Sequence, residues 1–75
     1  MLRLKDDINP IKLGFECKDH DYVYYVKIDG IKKLGFTIYK GSPYIRYSKT
    51  AYIVDEQLKC IYEWVKNDYV EWEDQ

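Results

Sequence analysis

Two tight-turn signals, Asp29-Gly30 and Gly41-Ser42, divide the middle of this chain into three runs of β-branched and aromatic residues. Asp and Gly tolerate the positive φ that short hairpin turns require, so such dipeptides between strand-like runs point to hairpins. The runs are Tyr22–Ile28, Ile31–Lys40 and Pro43–Ser48. A two-residue turn at Asp29-Gly30 sets Tyr25 opposite Leu34 and Val23 opposite Phe36. A two-residue turn at Gly41-Ser42 sets Ile38 opposite Ile45 and Phe36 opposite Tyr47. Together these registers gather Val23, Tyr25, Leu34, Phe36, Ile38, Ile45 and Tyr47 on one face, and a one-residue slip in either hairpin would undo the agreement. The expectation is a three-stranded antiparallel meander. Its other face then carries Tyr22, Tyr24, Val26, Ile28, Lys33, Thr37, Tyr39, Tyr44 and Arg46.

The flanks add shorter elements. Asn9-Pro10 reads as a helix start, with Asn capping and Pro at the first helical position, and Gly14 stops it within one turn. Phe15–Lys18 reads as a short strand before the polar turn Lys18-Asp19-His20-Asp21. From Asp55 the period changes: Val54, Leu58, Ile61, Tyr62 and Val65 recur at helical spacing, opposite Glu56, Lys59, Glu63 and Lys66. Asp55 is the expected cap at the start of this helix, and Asn67 the left-handed residue that closes it. Cys60 and Trp64 fall to the side of the apolar stripe, either beneath the N-terminal segment or on a self-association surface. Tyr69–Trp72 alternates and predicts a returning strand, before a solvated tail. The fold class expected is α+β: a twisted antiparallel sheet of three to five strands with one C-terminal helix packed on one face, all within a single domain spanning residues 1–75.

Several functions are argued against by composition. No stretch approaches the roughly 20 apolar residues of a membrane span, and Met1–Asp7 lacks the apolar centre of an export signal. A cytoplasmic location is therefore expected, with Cys17 and Cys60 as reduced thiols. One histidine and two distant cysteines offer no metal-ligand spacing, so no metal and no cofactor are expected. His20 lies in a turn between two aspartates, where a solvated imidazole is the expectation. No nucleophile, base and orienting carboxylate come together, the four glycines are too scattered for a phosphate loop, and no enzymatic activity is expected.

What stands out is tyrosine. Nine of the 75 residues are Tyr, and they supply most of the 17% aromatic content. Tyr22, Tyr24, Tyr39, Tyr44 and Arg46 form a candidate partner-binding face, because rigid rings lose little entropy on contact and serve as interface anchors. The same face read as a single-stranded nucleic-acid platform uses Lys33, Arg46, Tyr24 and Tyr39. The third reading is that these tyrosines simply satisfy β-propensity, or that the N-terminal segment (Leu4, Ile8, Ile11, Leu13) or Tyr69–Trp72 covers them. Net charge is −1, but Lys27 to Lys49 holds six bases and one acid, against six bases and twelve acids elsewhere. Acidic flanks weigh against nucleic acid, whose affinity depends on neutralising phosphates.

Finally, Leu4-Lys5-Asp6-Asp7-Ile8-Asn9, Leu13-Gly14-Phe15 and the helix Leu58-x-x-Ile61-Tyr62-x-x-Val65-Lys66-x-x-Tyr69-Val70-Glu71 resemble small phage and prophage proteins of Firmicutes. The likeness covers about half the chain, and Pro10, Trp64 and Trp72 depart from that pattern. The resemblance brings no activity and no functional residue. It implies a mobile-element protein in a bacterial cytoplasm that binds and blocks a host protein, a defence nuclease included. A homo-oligomer through the Cys60/Trp64 side of the helix is the further interaction considered.

Overall fold

In the computed structural model, residues 1–47 and 55–73 are described. They form an α+β fold of antiparallel strands with the C-terminal helix packed on one face. In chain order the elements are β1 (Leu2–Leu4), α1 (Pro10–Leu13), β2 (Glu16–Lys18), β3 (Asp21–Ile28), β4 (Ile31–Tyr39), β5 (Arg46–Tyr47), α2 (Asp55–Lys66) and β6 (Val70–Trp72). The strands β2-β3-β4-β5 make one sheet in sequence order, and β1 pairs with β6 in a second, two-stranded one.

The hairpin signals hold at their turns. Asp29 and Gly30 take φ of 54° and 77°, and Ile28 pairs with Ile31 across them. Phe36 pairs with Tyr47, the register expected from the second hairpin. The third run divides its pairing. Arg46 and Tyr47 join β4, while Pro43 and Ile45 exchange backbone hydrogen bonds with Leu4 and Leu2 and Arg3 bridges to Tyr44. One short segment thus ties the two sheets together.

The first hairpin departs from the expected register. Lys27 pairs with Lys32, but Tyr25 pairs with Gly35, so Val26 alone stands against residues 33 and 34. This two-against-one count is a β-bulge in β4, and beyond it every β3 residue changes partner and face. Tyr24 now pairs with Phe36 and Tyr22 with Ile38, facing the core, while Val23 and Tyr25 turn outward. Gly35 makes the bulge feasible: a Cβ there would lie 1.7 Å from the Tyr24 carbonyl oxygen. Only glycine allows the two strands this close.

α2 also sits differently from the expected stripe. Its buried residues are Gln57, Ile61 and Trp64, whereas Leu58, Tyr62 and Val65 are exposed. Val54 lies outside the described residues, as do Ser48 and the Asp74–Gln75 end of the tail. Trp64 packs at 4.8 to 5.6 Å, centroid to centroid, against Phe36, Tyr24 and Phe15. Gln57 donates from Nε2 to the Gly35 carbonyl at 3.2 Å. A bulky ring that fits among the core aromatics and a polar side chain that reaches a strand carbonyl select this face of the helix.

Both ends of α1 and the C-terminal end of α2 are satisfied locally. Asn9 Oδ1 accepts from the Ile11 N–H, and left-handed Gly14 ends α1. α2 begins at Asp55 itself, and the left-handed residue at its end is Asp68, not Asn67. Asp68 N–H bonds to Val65 O and Tyr69 N–H to Trp64 O, the paired bonds of a Schellman closure. That turn delivers β6 to the edge of β1. Leu2, Leu4, Leu13, Phe15, Val26, Phe36, Ile38, Ile45, Ile61, Trp64 and Val70 then close into one core.

Candidate functional site: the open face of the sheet

The core occupies one side of the four-stranded sheet, and among the described residues no helix or second sheet packs on the other side. Two rows of cross-strand neighbours define it. Glu16, Val23, Thr37 and Arg46 run across all four strands, and Lys18, Asp21 and Tyr39 form the adjacent row. Tyr25 and Lys32 lie at the other end, about 13 Å from Tyr39 along the strands at the ordinary rise per residue. α1, α2 and the β1–β6 pair contribute their buried residues to the opposite side.

Each outward tyrosine carries a cation. Arg46 lies 4.8 Å from the Tyr39 ring centroid, and Lys32 lies 5.0 Å from that of Tyr25. Tyr39 is 46% exposed and Tyr25 36%, with half-buried Val23 and Thr37 between them. The result is a flat strip with an apolar centre and an aromatic-cation pair at either end. Stacked cations hold the rings in place and keep positive charge beside them. Lys18 pairs with Glu16 at 3.9 Å along one margin. The chemistry such a strip offers is contact: rigid rings, some apolar area and several hydrogen-bond donors.

The residues expected to form a partner-binding face do not all meet. Tyr39 and Arg46 are brought together on the open face. Tyr22 and Tyr24 are on the core side, because the bulge exchanges the two faces of β3. Tyr24 packs edge-on against Trp64 and Phe36, and Cys60 Sγ donates to its hydroxyl oxygen at 3.7 Å. Burial first, then the neighbouring Cys60 sulfur, pushes the Tyr24 phenol up to about 12. Tyr44 lies between the sheets, where its hydroxyl donates to Glu73 Oε1 at 3.1 Å and so is held above its ordinary range. Of the residues in the nucleic-acid reading, Tyr39 and Arg46 share the open face, Tyr24 does not, and Lys33 falls within the bulge. Tyr25, expected on the Phe36 face, reaches the open one through the bulge, for which Gly35 inside a strand is the available signal.

The Cys60/Trp64 side of the helix is not an outer surface. Trp64 belongs to the core and Cys60 is half-buried against Tyr24, so self-association through that side is ruled out by packing. Cys17 is exposed on β2, and both cysteines are free. A separate ionic cluster gathers the chain ends: Arg3 meets Glu73 at 3.0 Å, Asp6 at 3.2 Å and Glu71 at 3.9 Å. The Glu73 hydrogen bond raises the Arg3 guanidinium further above its usual range. Lys5 pairs with Asp68 nearby. These contacts fasten β1 to β6, which gives them a structural role. Among the described residues, no group of three or more His, Cys, Asp or Glu converges as metal ligands, and no helix is long and apolar enough to cross a membrane.

Comparison with protein-family models, with curated proteins and with solved structures finds no match to this chain. The functional reading therefore rests on the geometry of its surfaces.

Proposed function

We propose that this protein is a non-catalytic protein-binding module, a phage- or prophage-encoded modulator that occludes a surface of a host protein. The observation that carries the reading is the sheet face opposite the core, where exposed Tyr25 and Tyr39 are each paired with a cation around Val23 and Thr37. Aromatic and arginine side chains are the residues that most often anchor interfaces. A sheet face built from rigid strands meets a partner with little ordering cost, so a chain of this size can bind without a deep pocket. Lys32 and Arg46 favour a partner surface that carries carboxylates. The resemblance to mobile-element proteins supplies the setting, and occlusion is the action open to a small domain without catalytic groups.

Nucleic acid fits less well. The protein is net negative, and each outward ring already engages its own cation, which leaves less π-surface for a base.

The test is capture of host proteins from a bacterial lysate on the immobilised protein and on Tyr25→Ala/Tyr39→Ala. The double variant is expected to melt within a few degrees of the parent and to lose the captured host protein, with binding weakened by about 2 kcal/mol or more. Undiminished capture by a folded double variant would move the contact off this face. Binding of a single-stranded oligonucleotide that falls steeply with salt would favour the nucleic-acid reading instead.

A further inference from the structure

The helix α2 has two apolar faces, and the fold uses one of them. Gln57, Ile61 and Trp64 face the core. Leu58, Tyr62 and Val65 form a second stripe at i, i+4 and i+7, and are 50%, 66% and 43% exposed. That spacing is the seam of a helix pair.

The charges beside the seam name its occupant. Asp55, Lys59, Glu63 and Lys66 run along the solvent side of the helix, all exposed, in the order acid, base, acid, base. Reversed end to end about Ile61, the pattern meets itself with opposite sign: Asp55 falls near Lys66 and Lys59 near Glu63. In a parallel copy this charged flank would face the opposite flank of the partner's seam, so only the antiparallel arrangement brings the four charges against their own copies. The apolar seam has the same symmetry, since reversal exchanges Leu58 with Val65 and leaves Tyr62 beside the axis. Antiparallel helix dipoles add to the preference. Among the described residues, the ion pairs within the chain fall on Arg3, Lys5 and Lys18, so these four side chains remain available.

We propose that this surface binds a second copy of the chain, in a two-fold antiparallel helix pair seated on Leu58, Tyr62 and Val65. Such an interface is isologous, with the same patch on both partners. Three apolar side chains from each copy make a small contact, so dissociation constants of about 100 μM are expected. The pairing leaves the open sheet face of each copy free, because α2 packs on the opposite side of the sheet.

Sedimentation equilibrium on the whole chain, from about 10 μM to about 1 mM, reads the constant directly. The parent is expected to shift from monomer to dimer across that range, and a parent that stays monomeric throughout overturns the proposal. Tyr62→Glu should weaken association at least about tenfold with an unchanged far-ultraviolet spectrum, since Tyr62 does not support the core. Association that survives this change places the contact elsewhere and overturns it as well. Lys59→Glu and Glu63→Lys should each weaken the dimer by about threefold to tenfold at low salt, and the two together should restore it. If the single charge reversals associate as well as the parent, or the double reversal does not recover, the antiparallel pairing is wrong.

Discussion

Gln57, fully buried on α2, donates from Nε2 to the backbone carbonyl of Gly35 at 3.2 Å. The bond joins the helix to the residue beside the bulge in the four-stranded sheet. A bulge interrupts the ladder and leaves backbone groups to be satisfied by other means, and a buried carbonyl without a donor is costly. A polar side chain in the core is therefore the natural partner of a bulge, and it helps decide which side of the helix faces inward.

Gln57→Leu keeps most of the volume and removes the donor. It is expected to lower stability by about 1–3 kcal/mol in urea titration. Gly35→Ala should be more severe, because its Cβ would lie 1.7 Å from the Tyr24 carbonyl oxygen and the strands would have to part. Loss of about 3 kcal/mol or of the cooperative transition altogether is expected, and an alanine variant that melts like the parent would contradict the bulge.

The orientation of α2 can be read from two substitutions in parallel. Trp64→Ala should cost about 3–5 kcal/mol, since Trp64 contacts three core rings. Leu58→Ala should stay within about 0.5 kcal/mol of the parent at monomer concentrations. Denaturant melts of the two variants give the comparison, and the reverse order of effects would restore the stripe inferred from helical spacing.

Alkaline stability tests the surroundings of Tyr24. A free tyrosine has a pKa of 10.0, and the folded protein holds this phenol up to about 12, first by burial and then by the neighbouring Cys60 sulfur. Between those values the unfolded chain has released a proton that the folded chain still holds. Stability should be unaffected by this group below the lower value and should fall as pH rises through the window. Tyr24→Phe is expected to flatten that decline, leaving a remainder from Tyr44 and Tyr47, whose phenols are also raised. Thermal melts across the alkaline range measure it, and an equal slope in parent and variant would count against a phenol protected at position 24.

Local signals were legible wherever a residue acts on its immediate neighbours. Asp29-Gly30 made its turn because both residues accept positive φ, and Asn9-Pro10 started α1 because cap and first-turn chemistry are short-range. The Phe36–Tyr47 register followed from the second turn, and the α+β class followed from the change of hydrophobic period at Asp55. Tyr39 and Arg46 were placed on one face by alternation alone, and they do lie together on the open side of the sheet.

What the tertiary structure decided was which way the elements face. One bulge residue reverses a strand, since side chains alternate with a period of two, so Tyr22 and Tyr24 joined the core and Val23 and Tyr25 left it. Periodicity grouped Leu58, Ile61, Tyr62 and Val65 in one stripe and set Trp64 to its side; the fit of Trp64 over Phe36 and the Gln57 bond to the Gly35 carbonyl turned that side inward instead. The partners of β1 and β6 are about 70 residues apart in sequence, and no local pattern encodes a pairing that depends on where the Asp68 turn delivers the chain. Turns and periods are properties of neighbouring residues, whereas burial is a property of the whole surface that a residue meets once the chain has closed around it.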